Sequence, residues 1–277
     1  MTLADLNTAM SDQAFEKIAE IALSDAGLAI PKSKKALVQS RIDRRLRTLN
    51  IHSIQDYIAL LHDQSNWQER KELISILTTN VSSFYRENHH FQFLINEVFP
   101  RLKEKASAGK KLRIWSAGCS SGQEPYTIAI ELLRHFSQSE LKNALILATD
   151  IDSEILKKAK RGVYPMSELD ALQPECKNEF FQIEGDQFHA GERLKSLVRF
   201  RELNLHGDWP MSGTFDAIFC RNVLIYFDDQ HQRALWPRFH KALAPSGYLF
   251  LGHSERIHPV DTSGFASMGA TIYQKTT

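Results

Sequence analysis

Cysteine is scarce in this chain: 277 residues hold three, Cys119, Cys176 and Cys220. An odd, sparse set is no disulfide framework and suits a reducing compartment, so a cytoplasmic protein is expected. Long apolar runs are missing as well. None approaches the ~20 residues that span a bilayer. The stretch from Met1 to Ser11 has no basic segment leading into an apolar one, so neither membrane insertion nor a signal peptide is expected. Charge of one sign is not in excess either: 34 Lys and Arg against 33 Asp and Glu leave +1, so whole-chain electrostatics select no partner. Eleven histidines form no H-E-x-x-H and no Cys/His cluster at ligand spacing, and the adjacent His89 and His90 would point to different faces of a helix. No metal is expected. What remains is the composition of an ordinary globular protein, 43% hydrophobic and 24% charged, long enough for two modest domains.

The texture changes once along the chain. Residues 1–79 read as helices. Phe15, Ile18, Ala19 and Ala22 recur at helical spacing until Gly27; a basic stretch runs from Pro31 to Asn50; Ser53 and Asp56 cap a turn ahead of Tyr57, Ile58, Leu60 and Leu61; a further helix covers Trp67 to Leu77. Another helix after Arg86 carries Phe91, Phe93, Leu94 and Val98. Beyond a small polar loop at 106–111, apolar β-branched runs alternate with helical patterns. Strands are expected at Leu112–Ala117, Ala144–Ile151, Val198–Leu203, Phe215–Val223, Tyr248–His253 and Ala270–Lys275, and helices at Pro125–Phe136, Ser153–Arg161 and Asp229–Leu243. That alternation, from Leu112 onward, predicts a parallel, doubly wound sheet; the α/β domain is placed at 80–277, behind a helical domain at 1–79. The last strand has no helix before it and is expected antiparallel, at or near an edge. Residues 162–197 fit neither pattern and read as an insertion.

In such sheets ligands sit beyond the carboxyl ends of the strands. The first strand ends in a loop with Gly118 and Gly122, followed by Glu124 and by Pro125, which suits a first helical position. The loop is not G-x-G-x-x-G, and a carboxylate at the helix start competes with a phosphate. Glu124 either caps the helix or answers a cationic ligand. The second strand ends at Asp150, placed to accept both ribose hydroxyls or to cap the next helix. Together these residues favour an adenosyl ligand without phosphates, S-adenosylmethionine rather than NAD. The fourth strand ends in Arg221 and Asn222 instead of the Asn/Asp-Pro-Pro-aromatic motif of many amine methyltransferases. An arginine and a tyrosine near the methyl donor would suit a carboxylate acceptor. Cys119 and Cys220 are expected to be small packing residues.

Five segments in order, Thr78–Glu87, Ile114–Tyr126, Ala148–Asp152, Cys220–Asp228 and Gly252–Glu255, resemble the chemotaxis receptor methyltransferases, the CheR family, over nearly the whole chain. The resemblance implies a Rossmann-like S-adenosylmethionine-dependent sheet, an all-helical N-terminal domain and a small β subdomain inserted at about 162–197. It implies cofactor contacts from Asn80, Ser82 (a threonine in many relatives), Arg86, Gly118, Glu124, Asp150, Asn204, Leu205, Arg221 and Asn222, and Tyr226 near the reactive methyl. Core packing remains the plain role for Phe84, Phe91 and Phe227. The implied reaction converts glutamate side chains of a chemoreceptor to γ-methyl esters and leaves S-adenosylhomocysteine. A glutamate is already ionised at neutral pH, so no general base is needed. Alignment and exclusion of water do the work, with Arg86 orienting the acceptor and Tyr226 lining the transfer path.

Between Lys32 and Arg47 seven cations (Lys32, Lys34, Lys35, Arg41, Arg44, Arg45 and Arg47) face one acid, Asp43. Arg41, Arg44 and Arg45 share a helical face, either as solvated surface or as a docking face for the acidic methylation helices of receptors. The patch is short and poor in aromatics for nucleic acid, which is not an expected partner. Two other readings stand beside this one: a methyltransferase for another carboxylate, and a regulator that binds the cofactor without catalysis. A tethering peptide at the receptor C-terminus is not expected, because the insertion is short, and a monomer is the default.

Overall fold

The computed structural model describes residues 9–258 and 264–276. Most of the N-terminal stretch read for a signal peptide lies outside them. The chain divides into two units. One holds the described residues up to Thr79 together with Tyr226–His231; the other holds Asn80–Ile225 and the chain from Gln232 onward. Residues 226–231 meet the helices through a bridge between Leu28 and Phe227 and a hydrogen bond from the Ala29 N–H to the Tyr226 carbonyl (2.8 Å), a pairing between distant stretches of chain that no local periodicity signals.

The first unit contains helices α1 (Asp12–Ala26), α2 (Lys35–Leu49), α3 (Ile54–His62) and α4 (Trp67–Leu77). Their ends are set locally. The Ser11 hydroxyl accepts the Ala14 N–H, and Gly27, at φ 69°, closes α1 in the left-handed conformation; Ser53 accepts the Asp56 N–H at the start of α3. Apolar faces at helical spacing meet in a core of Phe15, Ile18, Ile42, Leu46, Tyr57, Leu61 and Leu73.

The second unit begins with α5 (His89–Phe93), which runs through a π-turn, Leu94–Val98, into α6 (Phe99–Ser107). Then follow β1 (Leu112–Ala117), α7 (Gln123–His135), β2 (Ala144–Asp150) and α8 (Ser153–Arg161). The insertion contributes β3 (Val163–Pro165), α9 (Pro174–Phe180), β4 (Phe181–Glu184), β5 (Gln187–Ala190) and α10 (Glu192–Leu197). The main sheet resumes with β6 (Val198–Glu202), β7 (Phe215–Cys220), α11 (Asp229–Ala242), β8 (Leu243–Leu251), β9 (Phe265–Gly269) and β10 (Ile272–Lys275). The seven-stranded order is β6-β2-β1-β7-β8-β10-β9, with β3-β5-β4 as a separate three-stranded sheet. The first five strands are parallel; β10 pairs antiparallel with β8 and with β9. The last strand is therefore antiparallel, one place in from the edge, and β9 is a strand the sequence did not announce, because of its residues only Phe265 is buried. The helix after the glycine loop starts at Gln123, two residues before Pro125; the proline is tolerated there because the N–H groups of the first turn have no helical partner anyway.

From β1 the chain moves outward to β2 and β6, then returns to place β7 on the other side of β1. That reversal opens a crevice at the carboxyl ends of β1 and β7. Stacked rings of Phe219 and Phe250 (4.2 Å) with Phe91 (5.9 Å from Phe219) fill the sheet beneath it. Phe84 packs edge-on to Tyr164 and Phe181 of the insertion (5.0 and 5.7 Å), and Phe84, Phe91 and Phe227 are all buried. Among the described residues no helix is long and apolar enough to cross a membrane.

Candidate functional site

The glycine loop is folded by the strand beside it. The Gly118 and Cys119 N–H groups both donate to the Thr149 carbonyl (2.7 and 2.8 Å). Gly118 has φ 77°, and a Cβ there would lie 2.3 Å from a Val223 methyl. Gly118→Ala is thus expected to cost about 2–4 kcal/mol, combining left-handed strain with crowding. It should appear as a lowered Tm that Val223→Ala partly restores; a melt equal to wild type would show that the loop tolerates a side chain.

Asp150 is buried at the end of β2, 7% exposed. One carboxylate oxygen accepts the Ser120 N–H (2.8 Å) and the other the Asp152 N–H (3.0 Å). Burial lifts its pKa to about 6, against the pull of those backbone donors. Each oxygen keeps a lone pair for a ribose hydroxyl. Asn80 donates to Asp152 (2.8 Å), which caps α8, while the Asn80 carbonyl accepts the Ser120 hydroxyl (3.0 Å). Asn80 thereby joins the loop after β1 to the loop after β2. Ser82 is half-buried nearby in sequence. At the end of β6, the Leu203 N–H reaches the Asp150 carbonyl (2.9 Å). Asn204 then turns the chain by accepting the His206 N–H, and the buried Leu205 offers its carbonyl to Arg238 and Trp209.

Glu124 accepts the Ser116 hydroxyl (2.6 Å) and the Arg221 guanidinium (3.0 Å). Burial raises its pKa, with Arg221 and Ser116 opposing. Arg221, 7% exposed, is shared. It also faces Glu87 at 3.3 Å and donates to the Arg86 carbonyl. Burial would raise the Glu87 pKa, but Arg221 and the His253 backbone N–H together hold it below the ordinary value. Burial and then Arg221 push the pKa of His90 down to about 3, so its imidazole is neutral. Asn222, at φ 58°, begins a turn clasped by Glu255, whose carboxylate accepts the N–H groups of Asn222, Leu224, Ile225 and Gly252 (3.0, 2.8, 3.3 and 2.5 Å). Glu87 and Glu255 are site residues that reading the chain had not singled out. Their partners lie 135 and about 30 residues away, so only the acid directly after Arg86 and the Gly252–Glu255 motif were available as signals.

With both acids ionised, two carboxylates around one guanidinium give the buried cluster one net negative charge, while burial pushes Glu124 toward its neutral form. Four buried side-chain atoms of this cluster, Arg221 Nε, Asn222 Oδ1, Glu87 Oε2 and His90 Nδ1, have no hydrogen-bond partner among the described residues. A buried cluster with carboxylate in excess over guanidinium suits a ligand that is cationic overall. Asp150, at the end of β2 on the other side of β1, is a buried acceptor that suits the hydroxyls of a nucleoside. S-adenosylmethionine meets both conditions; NAD meets only the second. Arg86 is half-buried, with one Nη donating to the Val81 carbonyl (2.9 Å) and no ion-pair partner among the described residues. Cys119 and Cys220 are buried free thiols whose pKa burial raises far above the ordinary value, which keeps them protonated.

In the helical unit, Tyr226 is held by its backbone bond to Ala29, and its ring lies 5.5 Å from the Lys34 ammonium. The basic trio of α2 separates into different roles. Arg41 donates to the Ile76 and Thr78 carbonyls (2.9 and 2.8 Å), closing the end of α4. Arg45 forms a two-pronged pair with Glu69 (2.9 and 2.5 Å), which also accepts the Tyr57 hydroxyl. Arg44 is exposed and has no ion-pair partner among the described residues. One helical face therefore does not mean one role: two of the three side chains are engaged within their own unit.

The doubly wound sheet and this pocket define an S-adenosylmethionine-dependent methyltransferase. The chain belongs to the CheR methyltransferase family. Residues 80–274 match the model for the CheR methyltransferase SAM binding domain, and residues 13–78 match the model for its all-alpha domain. A probable chemotaxis protein methyltransferase of Rhizobium etli is 41% identical over 258 residues, 92% of this chain and 96% of that one. The chemotaxis protein methyltransferase 2 of Pseudomonas aeruginosa is 39% identical (94% and 91%), and the chemotaxis protein methyltransferase of Escherichia coli is 36% identical (96% and 91%).

Proposed function

We propose that this enzyme methylates glutamate side chains on the cytoplasmic methylation helices of chemoreceptors, giving γ-methyl esters, and that it does so in the cytoplasm as a monomer. The buried cluster of Arg221, Glu87 and Glu124, with carboxylate in excess over guanidinium at the mouth of the doubly wound sheet, carries the reading. S-adenosylmethionine, when bound, supplies an electrophilic methyl on a sulfonium. Glu124 answers the positive charge, Asp150 holds the ribose, and Asn80, Ser82, Gly118, Asn204, Leu205, Arg221 and Asn222 shape the remaining walls. Arg86 orients the acceptor carboxylate and Tyr226 lines the transfer path. The division at Thr79 separates a helical receptor-facing domain from the catalytic domain.

The test is transfer of labelled methyl from S-adenosylmethionine to receptor-containing membranes, followed by mild alkali. Label on the receptor that leaves as volatile methanol is the expected result. Alkali-stable label, or label on another acceptor, would refute glutamate esterification, and cofactor binding without transfer would favour a regulator.

Docking through α2 rests on Arg44, with the exposed Arg47 three residues on, because Arg41 and Arg45 are engaged. Charge reversal of a rim residue acts mainly on the association rate. Arg44→Glu is expected to lower kcat/KM on receptors several-fold at low salt, less at high salt, with Tm unchanged. A salt-independent kcat/KM equal to wild type would exclude this face.

A further inference from the structure

Arg86 sits between two residues in the left-handed region. Tyr85 has φ 53° and Glu87 φ 54°, a conformation that side chains with a Cβ rarely adopt and that persists only where the surroundings impose it. The surroundings do so from both sides. Before Arg86, the Tyr85 N–H donates to the Thr127 hydroxyl (3.3 Å), and the Tyr85 hydroxyl donates to Glu131 (2.6 Å), a 1% exposed acid that Arg134 also holds (3.1 Å). Both anchors lie on α7. After Arg86, the Glu87 carboxylate accepts the His253 N–H (3.2 Å) and the Asn222 amide (3.4 Å) and faces Arg221 at 3.3 Å.

The second anchor differs in kind from the first. Arg221 reaches Glu124 with one amino group; with the other it meets both Glu87 and the Arg86 carbonyl. One guanidinium thus joins the acid at the start of α7 to the backbone that carries Arg86. With Glu124 as its sole acid, Arg221 would be drawn toward that carboxylate alone. The charge of Glu87 holds the second amino group over the Arg86 carbonyl. The acid then sets the direction in which the Arg86 side chain leaves the main chain, while touching no reacting atom.

We propose that Glu87 is a positioning residue for methyl transfer, fixing Arg86 in its strained turn and linking it through Arg221 to Glu124. The proposal rests on the reading that Arg86 orients the acceptor. An acceptor displaced by about 1 Å can cost as much as about a hundredfold in rate, so a modest release of the turn is measurable.

The experiment compares wild type, Glu87→Gln, Arg86→Ala and the double variant Arg86→Ala/Glu87→Gln in the full chain. It reads kcat for methyl transfer to receptor-containing membranes, S-adenosylmethionine affinity by calorimetry, and Tm. Glu87→Gln is expected to lower kcat by about tenfold or more and to change cofactor affinity far less. In the Arg86→Ala background it should have no further effect on kcat, because it acts through a side chain no longer there. A plainly structural role would lower the folded fraction and multiply the two losses. Glu87→Asp, which keeps the charge but falls short of Arg221, serves if Glu87→Gln does not fold, with the same non-additivity expected. Multiplicative losses, or a Glu87 variant at the wild-type rate beside an impaired Arg86→Ala, would overturn the inference alone. Arg86→Ala at the wild-type rate would overturn the Arg86 reading and this inference with it.

Discussion

Replacing Arg221 by methionine is expected to destabilise the protein by about 3–5 kcal/mol, the range for removing one partner of a buried ion pair. In a chain of this size that corresponds to a Tm lowered by roughly 10 °C. The magnitude is large because, among the described residues, no other lysine or arginine pairs with either acid. The Arg221 side chain is 3% exposed, and its partners Glu87 and Glu124 are 12% and 11% exposed. Methionine fills much of the volume but leaves two carboxylates facing each other away from water. Each must then keep its charge at high cost or bind a proton. In the wild type Glu87 sits below its ordinary pKa, so the stability it adds is present above the unfolded-state value and is lost as pH falls through the folded one. Without Arg221 the sign reverses. A carboxyl whose folded pKa is raised contributes stability below the unfolded pKa and loses it as pH rises through the folded value. The deficit of Arg221→Met should therefore shrink between pH 8 and pH 5, and Glu87→Gln/Glu124→Gln in the same background should restore much of the Tm. Thermal melts across that range decide it. A variant melting within about 2 °C of wild type at pH 8 would mean that the two acids are already neutral and that the cluster carries no negative charge.

The same cluster shows where reading the chain stops. The central strands are legible because parallel strands covered on both faces are nearly continuous apolar runs, and Leu112–Ala117 is observed at the bounds read from the sequence. Helix starts are legible where a side chain caps them, as Ser11 and Ser53 do. The α/β fold with its helical front and inserted sheet follows from the order of these patterns and from the family resemblance. The outer strand β9 is not legible, since an exposed edge of mostly polar or small residues has no alternation to detect. Individual roles within a charged face are no more visible: Arg41, Arg44 and Arg45 share spacing and chemistry, yet Ile76, Thr78 and Glu69, which separate them, lie 24 to 37 residues away. Asp150 and Glu124 could be named because strand ends point to them. Glu87 and Glu255 could not, because their function lies in pairing with backbone and charge brought in by the fold.

Removing the Asp150 carboxylate, as Asp150→Ala, is expected to weaken S-adenosylmethionine binding by about a hundredfold or more. Two hydrogen bonds to a charged acceptor at about 1.5–3 kcal/mol each are lost. The same group makes binding sensitive to acid. Because Asp150 titrates near 6 and two ribose hydroxyls require its ionised form, affinity should hold steady above pH 7. It should then fall as pH drops through that value, to about tenfold weaker one unit below it. Glu124, also raised, adds to the loss in the same direction, since protonating it removes the charge that answers the cation. Stability without cofactor moves the opposite way. A folded-state pKa above the unfolded one means that Asp150 contributes most below the unfolded pKa and loses that contribution as pH rises through about 6. Acidification through this window therefore relieves the cofactor-free protein of a buried charge while depriving the complex of its ribose acceptor. The rise in Tm produced by saturating cofactor should shrink steadily from pH 8 to pH 5, and calorimetry near pH 6 should record proton release on binding. An affinity that stays constant over that range, or an Asp150→Ala variant that binds normally, would show that the ribose is held elsewhere. A steep pH dependence that survives in Asp150→Ala would pass the role to Glu124, the one other carboxylate of the cofactor loop that burial has already pushed toward neutrality.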